Sequence, residues 1–168
     1  MNEITDCAGE EVRILERLRA CLDRARAAVA CDATDLKTGI AALNQLRSGC
    51  AEDINQLQHA AGVLAAAKFL YDKQPDADDL KWYWHPYQTG SIEEPDLRVV
   101  RGGDIAISAE VTTSTKPDGK IAERMRDTLA KLQKMPGDRF YFVFSPQMQK
   151  RAETKIHKAG HDISVIAI

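Results

Sequence analysis

Between residues 9 and 72, apolar side chains recur in steps of three and four. Leu15, Leu18, Leu22, Ala25 and Val29 form one such seam, the spacing of a helical face. Cys31-Asp32-Ala33-Thr34-Asp35 interrupts it and supplies an N-cap for a short second helix carrying Leu36, Ile40, Leu43 and Leu46. Ser48-Gly49 predicts the end of that helix. A third helix is expected from about Ala51 to Tyr71, with Ile54, Leu57, Ala61, Leu64 and Ala65 inward and enough alanine to lie close against a sheet. Two heptads are too few to define a coiled coil, so the first seam leaves a packed hairpin and a dimer contact both open. The polar run from Gln74 to Asp79 predicts a turn and a boundary.

From Lys81 onward the period changes. Trp82-Tyr83-Trp84 reads as a strand that Pro86 ends. Strands are expected over Asp96–Arg101 and Asp104–Thr113, separated by Gly102-Gly103. A helix from Gly119 to Met135 would bury Ile121, Met125, Leu129 and Leu132. A strand follows over Arg139–Phe144. Ser145-Pro146 then caps a helix that Gly160 closes, and Ile163–Ile168 is a last strand. Strand–helix–strand units imply parallel crossovers and an α/β sheet covered on both faces.

The hairpin carries more information than its turn. A two-residue Gly-Gly turn would set Leu97 against Ser108 and mix the faces. A three-residue loop sets Leu97 against Ala109, Val99 against Ile107 and Arg101 against Ile105, which gathers the apolar residues on one face. Register follows that pattern. Asp96 then lies across from Glu110, about 5 Å away at Cβ. Two facing carboxylates repel unless a cation lies between them, and Mg²⁺ suits two carboxylates completed by water and a phosphate oxygen.

Charge sharpens this reading. The chain has 168 residues, 23 Lys and Arg against 25 Asp and Glu, and a net charge of −2. Within residues 114–160, however, 11 basic side chains face 5 acidic ones, a net of +6. Lys120, Arg124, Lys131 and Lys134 recur with Asp127 along one face of the helix predicted after Pro117, a spacing suited to phosphates along a nucleic-acid backbone. The longest wholly apolar run, Ala60–Ala67, is too short to span a bilayer, and the polar, acidic N-terminus is no signal peptide. Cys7, Cys21, Cys31 and Cys50 follow no metal-ligand or redox spacing, so reduced thiols in a cytoplasmic protein are expected. His59, near Gln56 and Gln58, reads as a structural or surface histidine.

Pro95-Asp96, thirteen intervening residues, and Glu110-Val111-Thr112 resemble the motif of the PD-(D/E)xK nuclease superfamily. The order helix, three-strand meander, crossover helix and strand over residues 51–144 is similar to that family's core. The resemblance implies a restriction-endonuclease-like mixed sheet flanked by helices over residues 51–168, with residues 1–50 as an N-terminal helical extension. It implies Asp96 and Glu110 as metal-binding carboxylates. The motif's usual lysine is Thr112 here, a hydroxyl without a charge. Lys116, in the strand-to-helix loop, and Lys120, in the next helix's first turn, are the candidate substitutes.

The expected activity is a Mg²⁺-dependent DNA endonuclease of restriction or defence type, with Mn²⁺ as a substitute metal and RNA left open as a target. A homodimer through the N-terminal helices would bring two sites to two strands, and no membrane partner is expected. The alternative is a catalytically inactive nuclease-fold module that binds nucleic acid or regulates a partner.

Overall fold

The computed structural model describes residues 1–30, 32–74, 79–87 and 93–168. Cys31 and residues 75–78 of the expected boundary turn lie outside these. Six strands form one sheet in chain order: β1 (Asn2–Glu3), β2 (Leu80–Trp84), β3 (Leu97–Arg101), β4 (Asp104–Thr112), β5 (Asp138–Val143) and β6 (Ser164–Ala167). The first four are antiparallel neighbours, while β4, β5 and β6 run parallel. Helices α1 (Cys7–Val29) and α2 (Leu36–Lys73) precede β2. The parallel crossovers are α3 (Gly119–Leu132) and α4 (Pro146–Ala159). The fold is therefore mixed α/β, as the change of period implies.

Alternation along the central strands decides which helix covers which face. Ile107, Ala109 and Val111 of β4, with Phe142 of β5, pack against Val63, Ala66 and Leu70 of α2. On the other face Tyr141 and Val143 meet Met125 and Leu129 of α3 and Met148 and Ala152 of α4. Trp82 and Trp84 are buried in the first core and are unavailable for stacking on bases. No described helix is long and apolar enough to cross a membrane.

The hairpin contains parts of both registers considered above. Leu97 pairs with Ala109 and Val99 with Ile107, the arrangement that the apolar face requires. Nearer the tip, Val100 pairs with Ile105 and Arg101 with Asp104, so the expected pairing of Arg101 with Ile105 is corrected. Gly102 and Gly103 have φ of 61° and 98°, as a tight two-residue turn demands. A bulge between Val99 and Val100 reconciles this turn with the apolar face beyond it.

The helical region departs from expectation in three ways. First, α2 is one helix through Ser48-Gly49, so a division of the chain at residue 50 falls inside it. An interior glycine costs about 1 kcal/mol relative to alanine. Packing of Cys50 and Leu57 on Cys21 offsets that cost, and Arg24 Nε bonds the Gly49 carbonyl at 3.1 Å. Second, α2 is rolled relative to the expected inward set: Ile54 and Ala61 are exposed, while His59, Val63, Ala66 and Leu70 face inward. The helix is covered on two sides, by the sheet and by α1, and a single seam cannot describe that. Third, Asn2–Glu3 adds an edge strand too short to leave a periodic signal.

Gly62 sets how closely α2 lies on the sheet. A Cβ there would stand 3.0 Å from the Phe144 ring and 3.1 Å from Val111 Cγ1. Gly62→Ala sets an overpacking cost of about 1–3 kcal/mol against about 1 kcal/mol of helix propensity gained, so a net loss is expected, read as a lower urea midpoint at unchanged slope. A midpoint equal to wild type would mean that the sheet gives way easily here.

Candidate active site

β4 ends beside a cavity of about 470 Å³ whose lining includes His59, Asp96, Glu110, Thr112, Arg124 and Lys131. Each side chain is positioned by its own element. Asp96 immediately precedes β3, and its Oδ2 accepts a hydrogen bond of 2.8 Å from the Val111 N–H. Glu110 and Thr112 project from the β4 face that α3 covers. His59 comes from α2, one turn before Gly62, and its Nε2 lies 3.5 Å from Asp96 Oδ1.

The cation at this site is Lys131 of α3. Its Nζ stands 2.6 Å from Glu110 Oε1 and donates to the Glu94 carbonyl at 2.9 Å. The contact with Glu110 is a close ion pair lying off the direction of a well-aligned hydrogen bond. Arg124 joins Lys131 on the cavity wall. Lys116 and Lys120 are exposed and do not line it, and Lys134 is likewise outside the lining. The expected basic stripe is thus divided: Lys131 and Arg124 turn toward the carboxylates, and Lys120 and Lys134 do not.

Burial dominates the electrostatics. Glu110 is 6% exposed, and loss of water pushes its carboxyl up to about 8, with the nearby Asp96 adding to the shift and Lys131 opposing it. Burial also raises Asp96, opposed by His59, by the Val111 N–H and by Lys131. One lysine therefore faces two carboxylates in a poorly solvated place, where like charges resist joint ionisation. Thr112 Oγ1 accepts a 2.7 Å hydrogen bond from the Tyr141 hydroxyl, which burial pushes up to about 12 and so keeps protonated. At the rim, His85 Nε2 and Glu94 Oε2 lie 2.8 Å apart, with Arg98 Nη2 3.6 Å from Glu94 Oε1.

His59 is the residue that sequence reasoning undervalued. It is 2% exposed, and neither ring nitrogen has a hydrogen-bond partner. A signal was available: His59, Val63, Ala66 and Leu70 follow steps of four, three and four, so the ring belongs to the inward stripe. Tyr141 was hidden in an aromatic strand, where nothing local marks the residue that pairs with Glu110 and whose hydroxyl reaches Thr112.

The donor chemistry decides whether these residues fit a divalent cation. Among the described residues, no group of three or more His, Cys, Asp and Glu side chains is placed to hold a metal ion. The available set is two carboxyl groups beside Lys131. Hard oxygen donors in that number fit Mg²⁺, which keeps several waters and commonly takes only one or two protein carboxylates alongside phosphate.

The raised carboxyl at Glu110 has a definite stability signature in EDTA. The folded state holds a proton that the unfolded state releases near pH 4.5. Stability is then greatest below that pH and falls as pH rises toward about 8, by up to about 1.4 kcal/mol per unit for this group. Glu110→Gln should remove this group's share of the fall, leaving the dependence due to Asp96. Urea unfolding at several pH values reads it, and an unchanged slope in the variant would mean that Glu110 ionises normally.

The chain matches no protein-family model, no curated protein and no solved structure.

Proposed function

We propose that this chain is a divalent-metal-dependent nuclease domain that hydrolyses phosphodiester bonds in DNA. The observation that carries the reading is the meeting of Asp96 and Glu110 in one cavity with the Lys131 ammonium against them. The sequence resemblance to the PD-(D/E)xK superfamily points the same way, and the mixed sheet is compatible with it.

In this reading Asp96 and Glu110 hold Mg²⁺, or Mn²⁺ in its place, which supplies Lewis acidity toward a phosphate diester. The Val111 N–H fixes the Asp96 carboxylate, so it needs little reorganisation. Lys131 takes the part expected of Lys116 or Lys120: its ammonium offsets negative charge developing on the phosphate oxygens. Thr112 accepts from Tyr141 and keeps its own hydroxyl proton for donation into the cavity. Arg124 at the wall, with exposed Lys120 in the first turn of α3 and exposed Lys134 just past its C-terminus, would contact the DNA backbone.

A second reading has one specific observation in its favour. Lys131 is already engaged by Glu110 and by the Glu94 carbonyl, a self-contained network that needs no substrate. A nuclease-fold module that binds nucleic acid, or regulates a partner, without cutting would show the same pairing.

Nicking of supercoiled plasmid separates the two. Cleavage should need Mg²⁺ or Mn²⁺ and stop in EDTA. Asp96→Ala and Glu110→Ala should each abolish it, and Lys131→Ala should lower it roughly a hundredfold or more. Lys116→Ala should cut as wild type does. No cleavage by wild type with either metal, together with retained DNA binding, would establish the non-catalytic module instead.

Binding has its own readout. Lys120→Ala with Lys134→Ala should weaken DNA affinity for every sequence and reduce the salt slope by about one unit for each phosphate no longer neutralised. An unchanged slope would identify both lysines as solvated surface.

A further inference from the structure

The α1–α2 hairpin leaves most of this chain's exposed large apolar side chains uncovered. Its two sides differ sharply. On one, Arg17 and Arg24 of α1 pair with Asp53 of α2. On the other, helical spacing places Leu15, Leu18, Leu22 and Val29 on one flank of α1, and Leu36, Ile40 and Leu43 on a flank of α2 that Val29 meets. Every one of these seven is at least 40% exposed, reaching 83% at Leu36.

The two seams share one side of the hairpin. One groove is lined by Val29 from α1 and by Leu36, Ile40 and Leu43 from α2. A second, nearer the sheet, is lined by Leu15 and Leu18 together with Ala61, Leu64 and Ala65, with the Glu11–Lys68 ion pair also on its wall. The helices therefore form an amphipathic layer with an apolar surface along its length. The buried core between them is small, consisting of Cys21, Cys50 and Leu57 with Ile14, Ala25 and Leu46 packed around it.

We infer that this face is the interface for a second copy of the chain, two hairpins packing face to face about a twofold axis as a four-helix bundle. Three observations select this occupant. A two-helix layer with one apolar side requires a second layer, and another copy supplies an equivalent one. The steps of three and four in both seams are those that interlock in helix bundles. Finally, seven half-exposed Leu, Ile and Val side chains present several hundred Å² of apolar surface, beyond the patches usual on monomers. With the neighbouring alanines this approaches the roughly 800 Å² per partner of a stable interface. The inference is independent of the nuclease reading, because the face and the cavity share no lining residue.

Sedimentation equilibrium of the full chain across the micromolar range tests it. Wild type should fit a monomer–dimer equilibrium. Leu22→Glu and Leu43→Glu, one on each helix, should each weaken association at least a hundredfold while far-UV circular dichroism stays unchanged. Leu22→Gln and Leu43→Gln serve as milder variants if a charge disturbs the helix. Hydrogen exchange over residues 15–43 should slow as wild-type concentration rises. A monomer throughout the range, or a dimer that tolerates both pairs of substitutions, would overturn the inference, and a monomer would indicate that a different protein covers this face.

Discussion

Strand β4 is paired on both edges and covered on both faces, and the arrangement of the site follows from that enclosure. A half-exposed strand could leave its polar alternates in water. Here Ser108, Glu110 and Thr112 face inward and must find partners inside the protein. Ser108 donates to the Pro136 carbonyl at 2.8 Å, Glu110 meets Lys131, and Thr112 accepts from Tyr141. The first and last are neutral bonds that satisfy the strand's polar groups. The middle one is different: it brings an ionisable acid and a long cation into a poorly solvated place beside a second acid.

That difference sets this place apart from the rest of β4. A structural ion pair would be satisfied by one acid and one base, and adding Asp96 makes the arrangement worse unless something else balances the charge. The protein nevertheless fixes Asp96 there with a backbone N–H and closes the space behind it with His59. Gly62 permits α2 to come near enough for the imidazole to arrive, since any Cβ would meet Phe144 and Val111. The result is a cavity whose walls carry two carboxyl groups and the Lys131 ammonium, with Arg124 also in its lining.

Legibility from sequence followed the range of the interactions involved. The pairing of Leu97 with Ala109 could be read because register is a property of two adjacent segments and their alternation. The bulge was less visible, because the turn and the apolar face make separate demands and each alone implies a different loop. Gly49 suggests a helix end by its own propensity, yet Cys21 and Arg24, more than twenty residues earlier, hold the helix through it. The substitute cation shows the limit most clearly. Lys116 and Lys120 are nearer to Thr112 in sequence, whereas Lys131 is the one that reaches the carboxylates, because the way α3 lies across β4 decides which turn of the helix meets the strand. Spacing on an isolated helix can identify a basic stripe but not which of its members will face another element.

The same reasoning explains why the chain has two kinds of surface. On the sheet, each apolar face is matched by helices from within the chain, so α2, α3 and α4 leave few large hydrophobics exposed around it. The hairpin has no such third element. α1 packs along α2 through Cys21, Ala25 and Ala28 together with Ile14, which meet Leu46, Cys50 and Leu57, while Leu15, Leu18 and Leu22 stay exposed. Leucines left exposed beside this contact are a poor arrangement for a free two-helix arm, whose apolar side would stay in water. They suit one layer of a bundle: the apolar side carries two grooves between α1 and α2, into which the leucines of an equivalent surface can pack.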